Sequence, residues 1–197
     1  MADPAYIVDG VLEDGEAWVG IATTTLGSDT ASVTFTSTDD GQVGDCSQYM
    51  DLVGVTYGRT ATAVAHDGFW MRFGTGGGSI DTTNGNYAGQ LMQGDGASAT
   101  AGVEAQPLVG MLPANSASAN IFGSVVSHLF DVNAAKFKSS VHQTACDTDG
   151  GGYVQMYAMT WLNQGAITSI QAISKNAGDL KDGSMISLFG VLPRMVA

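Results

Sequence analysis

The sequence predicts an all-β fold, an antiparallel two-sheet β-sandwich of jelly-roll type with about ten strands. Three observations predict it. Apolar residues fall in short runs broken by Gly, Ser, Thr, Asn and Asp, with 27 Gly in 197 residues. Several of those runs alternate apolar and polar side chains with the two-residue period of a strand. No stretch holds the 3.6-residue period of an amphipathic helix for more than a turn or two. A chain of this length fits one domain and can bury about 70% of the surface that its unfolded form exposes.

Residues 1–20 carry no strand or helix period and read as an acidic amino-terminal arm that orders on a partner, with residues 21–197 forming the sandwich. Within the arm, Tyr6, Ile7, Val8 and Trp18 are the side chains suited to partner contact. The first strand is Ala31 to Thr36, with Ala31, Val33 and Phe35 on one face, and Asp39-Asp40-Gly41 turns the chain. Val53, Val55 and Tyr57 mark a second strand. Phe69, Met71 and Phe73, set against Trp70 and Arg72, mark a third. Gly74 to Asn86 reads as a surface loop.

Tyr87 to Met92 and Val103 to Met111 read as edge strands beside the Gly94-Asp95-Gly96 turn. Ala119 to Val132 follows, with Phe122, Val126, Phe130 and Val132 as its core positions, and Phe137 to Ala145 answers it as a hairpin. Tyr153 to Leu162 sets Val154, Met156 and Ala158 against Tyr153, Tyr157 and Trp161. Ile167 to Ile173 and Met185 to Leu192 are expected to close the fold as a final hairpin. Among the nine Met residues, Met92, Met156 and Met159 read as adaptable core filler.

The net charge is −12, from 19 acidic residues against 7 Lys and Arg. No Lys or Arg precedes Arg59, while acids recur from Asp3 to Asp51. Such a surface repels phosphate, which argues against nucleic acid and anionic membranes as partners. It suits a solubilising role, with a basic partner surface as the sharper alternative. The amino terminus has no signal-peptide pattern and no window matches a membrane span, so synthesis in a cytosol is expected. Cys46 and Cys146 allow one disulfide, which would close a loop worth about 5 kcal/mol in chain-entropy terms. A reducing cytosol favours two thiols, and oxidation after release from a cell stays open.

Catalytic chemistry is not legible. Asp147-Thr148-Asp149-Gly150 starts like a calcium loop but lacks a later acidic ligand, so it reads as a turn. His66, His128 and His142 have no metal-ligand spacing, and His66-Asp67 has no nucleophile motif beside it. Gly74 to Ser79 lacks the Lys-Ser/Thr ending of a phosphate loop. No enzyme activity, metal or cofactor is expected. Trp70 is the candidate exposed aromatic contact, able to stack on a sugar ring if it faces out, and Trp161 is a second.

Several landmarks occur in a fixed order. They are Thr23 to Ser28, Val33 to Phe35, Asp51-Leu52-Val53 with Arg59-Thr60, Met71-Arg72-Phe73 and Gly94-Asp95-Gly96. Ala119 to Gly123, Phe137-Lys138, Trp161, Ile167 to Ile170 and Ser187 to Val191 follow. With these the chain resembles a family of small β-sandwich proteins of tailed-bacteriophage virions, over residues 21–192. It departs at Gly74-Thr75-Gly76, where the family usually reads Asn-Gly-Asp.

The resemblance implies a capsid decoration, or cement, protein: a homotrimer over junctions of the major capsid protein, on the capsid exterior of a virion assembled in the host cytoplasm. The alternative is a receptor-binding module of a tail fibre or spike that recognises host surface glycan through Trp70 and the glycine-rich loops.

Overall fold

The computed structural model describes the backbone of Ile7–Val8 and Val11–Leu12, and residues 18–37, 45–76 and 78–192. In chain order the strands are β1 (Ile7–Val8), β2 (Val11–Leu12), β3 (Trp18–Thr25), β4 (Ser32–Thr36) and β5 (Asp51–Gly58). Next come β6 (His66–Thr75), β7 (Ser79–Ile80), β8 (Tyr87–Gly94), β9 (Ala99–Glu104) and β10 (Leu108–Pro113). The last are β11 (Gly123–Phe130), β12 (Lys138–Asp147), β13 (Gly152–Trp161), β14 (Ser169–Ser174) and β15 (Met185–Val191). Among the described residues the helical segments are two 3₁₀ turns, Cys46–Gln48 and Asn84–Asn86.

Two antiparallel sheets pack as a sandwich. The larger runs β3-β15-β5-β11-β12-β13-β8-β9, and the smaller runs β10-β6-β14-β4 with β7 paired to β6. β1 and β2 pair with each other in the segment assigned to the arm. Three features take the sandwich past the ten strands expected. Trp18–Thr25 is a strand, Ser79–Ile80 adds a short one, and the run from Val103 to Met111 is divided, with β9 on one sheet and β10 on the other. Gln106 and Pro107 fall in that crossing, where a ladder would need the N–H that proline lacks.

The expected closing hairpin does not form. β14 pairs β6 and β4, whereas β15 pairs β3 and β5, so the chain between them crosses from one layer to the other. Leu180 sits in that crossing, bridging Thr30 and Thr60, and its side chain is buried. The β11–β12 hairpin forms as expected, and β12 and β13 form a second one.

Phe69, Met71 and Phe73 of the smaller sheet meet Leu52, Leu129, Tyr87, Met159 and Trp161 of the larger one in the main core. Each such burial contributes about 1.5–3 kcal/mol. The core face of β11 is the reverse of the one expected. Val125, Ser127 and Leu129 point inward, and Val126 and Phe130 point out, with Phe122 half-buried beyond the strand and Val132 alone of the four fully buried. In β5, likewise, Leu52, Gly54, Thr56 and Gly58 face the smaller sheet, while the outward register holds Val53, Val55 and Tyr57.

The inward surplus of small and polar groups has a physical reason. A Cβ on Gly54 would approach Met71 to 3.3 Å and one on Gly58 would approach Leu112 to 3.2 Å, so the layers leave little room there. Ser127 is needed for a buried hydrogen bond: its hydroxyl meets His142 Nδ1 at 2.8 Å, and Ser140 meets the other ring nitrogen at 2.8 Å.

Candidate functional site

The outward face of the larger sheet follows from this inversion. Cross-strand register places Ala101, Met92, Met156, Gln143, Val126, Val55, Ser187 and Thr23 in one row across all eight strands. The next row is Ala99, Gly94, Val154, Ala145, Ser124, Tyr57, Met185 and Thr25. On the other side lie Val103, Gln90, Ala158, Val141, His128, Val53 and Phe189, and then Phe130. Val103 is 75% exposed, Val154 72% and Met92 60%. Met92 and Met156 therefore belong to this face and not to the core, where Met159 alone of the three is buried.

These rows carry no Lys, Arg or Glu. Of the two acids with the same parity, Asp51 is buried with its carboxylate 3.0 Å from His128 Nε2, and Asp147 lies at the rim. Eight strands about 4.8 Å apart, with rows about 6.8 Å apart, span about 700 Å². Within that span Val53 and Ser187 are buried, so the open apolar part is concentrated on β9, β8, β13, β12 and β11.

Two depressions divide the face. One, of about 640 Å³, is lined by Met92, Ala99, Val126, Ala145, Val154 and Met156. The other, of about 420 Å³, lies between Val103, Phe130, Val141 and Ala158.

The structure places the predicted contact residues unevenly. Trp18 opens β3 and lies on the outward face, 49% exposed, with its ring 6.3 Å from that of Phe189. It thus pairs into the sandwich, although it falls within the segment assigned to the arm. Ile7 and Val8 form β1, of which the backbone is described, and Tyr6 lies outside the described residues.

Trp70 does not face out. It is 8% exposed, packed with Leu108 and Tyr157, with Leu91 and Ile173 against them and the Arg72 guanidinium 4.8 Å from its ring. Tyr157 of β13 and Leu91 of β8, from the larger sheet, thus cover a side chain that alternation alone directs to the outside of the smaller one. Trp161 is also buried: it donates Nε1–H to Asp81 Oδ2 at 2.9 Å. Neither tryptophan is available to a sugar ring. The segment after Phe73, expected as a loop, is tied down through Asp81, which also accepts from Asn86 and from the Thr83 backbone.

The histidines are dispersed. His66 lies edge-on to Tyr153 at 4.8 Å, while the neighbouring Asp67 carboxylate accepts from Thr62, Ser174 and Asn176 instead. Burial pushes His142 down to about 3, so its imidazole is neutral across the physiological range. Among the described residues no group of three or more His, Cys, Asp or Glu is placed to hold a metal ion. No described helix is long and apolar enough to cross a membrane.

Cys46 and Cys146 are both buried and no disulfide joins them. The Cys46 carbonyl is bound by Asn133, ahead of β12, whereas Cys146 is near the far end of that ten-residue strand. That separation, about 30 Å, is far beyond disulfide reach.

A third depression, which meets the apolar face at Gly94, Ala145 and Val154, lies between the β8–β9 and β12–β13 turns. It measures about 400 Å³ and is lined by Asp95, Asp147, Tyr153 and five glycines among others.

No protein-family model matches this chain, and no curated protein matches it. Among solved structures it is similar to the Ruminococcus gnavus IT-sialidase CBM40, with 13% identity over 77% of this chain and 91% of that one, at a TM-score of 0.23. It is also similar to the same module bound to alpha2,3 sialyllactose, with 12% identity over 79% and 92%, at a TM-score of 0.25. At these TM-scores the fold assignment rests on the strand pairing itself.

Proposed function

We propose that this chain is a structural protein of a phage virion, of the capsid decoration or cement type, which docks on the major capsid protein through the outward face of its larger sheet. The observation that carries the reading is the uncharged apolar face on a chain of net charge −12. Where acids are plentiful elsewhere, a continuous area without them is best explained by a surface that is covered in the assembled state. Its most open residues, Val103, Val154 and Met92, lie on the adjacent strands β9, β13 and β8, and the last two line one depression, as the centre of a docking surface requires. The family resemblance supplies the class of partner. The physical task is to tie neighbouring capsomers together against the pressure of packaged DNA.

The test is imaging of purified virions, combined with rebinding of the isolated protein to particles that lack it. Regular density over the shell, lost for Met156→Asp or Val126→Asp while the fold persists, is the expected result. Density confined to the tail, or unchanged rebinding by both variants, would overturn it.

The second reading is glycan recognition. The feature that favours it is the cleft whose lining brings together Tyr153, Asp95 and Asp147. It predicts glycan binding that is lost on Tyr153→Ala and untouched by Met156→Asp.

A further inference from the structure

The larger sheet ends in β9, and among the described residues no strand pairs its far edge. β9 runs Ala99-Thr100-Ala101-Gly102-Val103-Glu104 and pairs β8 on one side in unbroken register, without a bulge. Four of its six residues are exposed and the other two are half-buried. Natural edge strands are normally blunted by Lys, Pro, bulges or a covering element, because a row of open N–H and C=O groups is a template for another strand. β9 has no Lys, Pro or bulge and, among the described residues, no strand paired to its far side; its one charge, Glu104, stands at its end.

The other edges differ. β10 is buried along most of its length and lies over β12, where the Thr144 hydroxyl donates to the Val109 carbonyl at 3.3 Å. β3 is bulged against β15 between Leu188 and Phe189. β4 buries Val33 and Phe35 and leads directly into residues outside those described.

We propose that β9 pairs antiparallel with β9 of a second copy of this chain, joining two larger sheets across a twofold axis at Ala101. Three features select a second copy as the occupant. The Ala99–Val103 run holds no charge, so two acidic chains meet there without repulsion. The geometry is self-complementary: an axis normal to the sheet keeps both outward faces on one side and pairs only residues of equal parity. Ala101 then opposes Ala101 of the second copy, Thr100 opposes Gly102 and Ala99 opposes Val103, small against larger. An axis at Gly102 would draw Glu104 into the seam opposite Thr100, whereas the Ala101 axis leaves that carboxylate outside. Finally, the seam is continuous with the apolar face, so pairing doubles a single uncharged surface.

The seam does not depend on what that surface docks on. It predicts dimers where the family resemblance implies trimers.

The test uses the free full-length chain. Directly opposed residues in an antiparallel pair have Cα atoms about 4.5–5.5 Å apart, within disulfide range, while the two Gly102 positions would lie about 8 Å apart. Ala101→Cys should therefore oxidise to a covalent dimer under mild conditions. Gly102→Cys, and Ser139→Cys on the open face, should remain largely unlinked. The native cysteines are buried and do not compete. Ala101→Glu, which sets two carboxylates at the axis, should weaken the dimer of the otherwise native chain about tenfold or more by sedimentation. Failure of Ala101→Cys to link in preference to both controls, a native mass of three chains, or a dimer indifferent to Ala101→Glu would each overturn the proposal.

Discussion

Trp161 and Asp81 join the two layers of the sandwich. The indole of β13, on the larger sheet, donates at 2.9 Å to a carboxylate that follows β7 on the smaller one. The same segment accepts the Tyr87 hydroxyl on the Asp81 carbonyl at 3.0 Å, and that hydroxyl in turn accepts the Phe73 backbone N–H. Burial works to raise the Asp81 carboxyl, but the bonds from Trp161, Asn86 and Thr83 together outweigh it and hold it below its ordinary value. Trp161→Phe keeps the buried ring and removes the donor. It should cost about 2 kcal/mol in urea unfolding at neutral pH. Because a lowered carboxyl stabilises above its ordinary range and loses that contribution as pH falls through the folded value, the variant should also lose less stability on acidification. Equal acid sensitivity in both proteins would refute the coupling.

His142 gives a pH dependence of its own. Its folded value near 3 lies well below the 6.5 of an exposed imidazole, so below pH 6.5 the unfolded chain takes up a proton that the native state refuses. Stability from this group is complete above pH 6.5 and declines down to about pH 3. His142→Gln keeps polar partners for Ser127 and Ser140 without a titrating group. The difference between native and variant urea midpoints should shrink as pH falls from 6.5 to 4. A difference that stays constant across that range would show that His142 does not govern it.

The arm can be cut only as far as β3 allows. Trp18, Val19 and Gly20 pair with Val191, Gly190 and Phe189, so deletion of residues 1–17 leaves the sheet whole while deletion of residues 1–20 strips three paired positions. The shorter deletion should unfold at the native temperature, and the longer one several degrees lower. Capsid rebinding by the shorter deletion then measures the arm alone.

The two thiols should be silent in the native state. Burial raises both, pushing Cys146 to about 12, and thiolate is the reactive form. Labelling with a chromophoric disulfide should follow unfolding, and reductant should leave the melting temperature unchanged. Rapid labelling of the folded chain would contradict this.

Gly152 closes the β12–β13 turn at φ +144, where a Cβ would stand 2.1 Å from the Cys146 carbonyl oxygen. Gly152→Ala should cost 2 kcal/mol or more, roughly, because backbone and not a flexible side chain blocks the space. A loss below about 0.5 kcal/mol would mean that the turn relaxes.

Alternation in Val33 to Phe35, Phe69 to Phe73 and Tyr153 to Trp161 made the sandwich legible, since period two needs no tertiary knowledge. Which face turns inward was less legible. In β11 the sequence offers Val126, His128 and Phe130 against Val125, Ser127 and Leu129, and hydrophobicity favours the wrong set. The choice is fixed by the serine that His142 requires and by the narrow gap beside Gly54 and Gly58. Proximity misled in the same way at the end of the chain, where β14 and β15 are neighbours in sequence but not in space. The candidate site was hidden for the first of these reasons, because its Val and Met residues read as core. Trp70 read as exposed because Tyr157 and Leu91, which cover it, come from the other sheet and lie far along the chain.

The placement of β3 beside β15 also sets a timetable for biosynthesis. β3 leaves the ribosome before its ladder partner, Met185–Val191. Until that late strand emerges, Trp18–Thr25 has no described place in the larger sheet, and β5 has only β11. Closure of the sandwich therefore follows translation of nearly the entire chain, and contacts this distant in sequence make it slow. Throughout that interval the acids that recur from Asp3 to Asp51, with no Lys or Arg among them, set like charge against like charge between neighbouring copies and so guard unpaired strands against premature association.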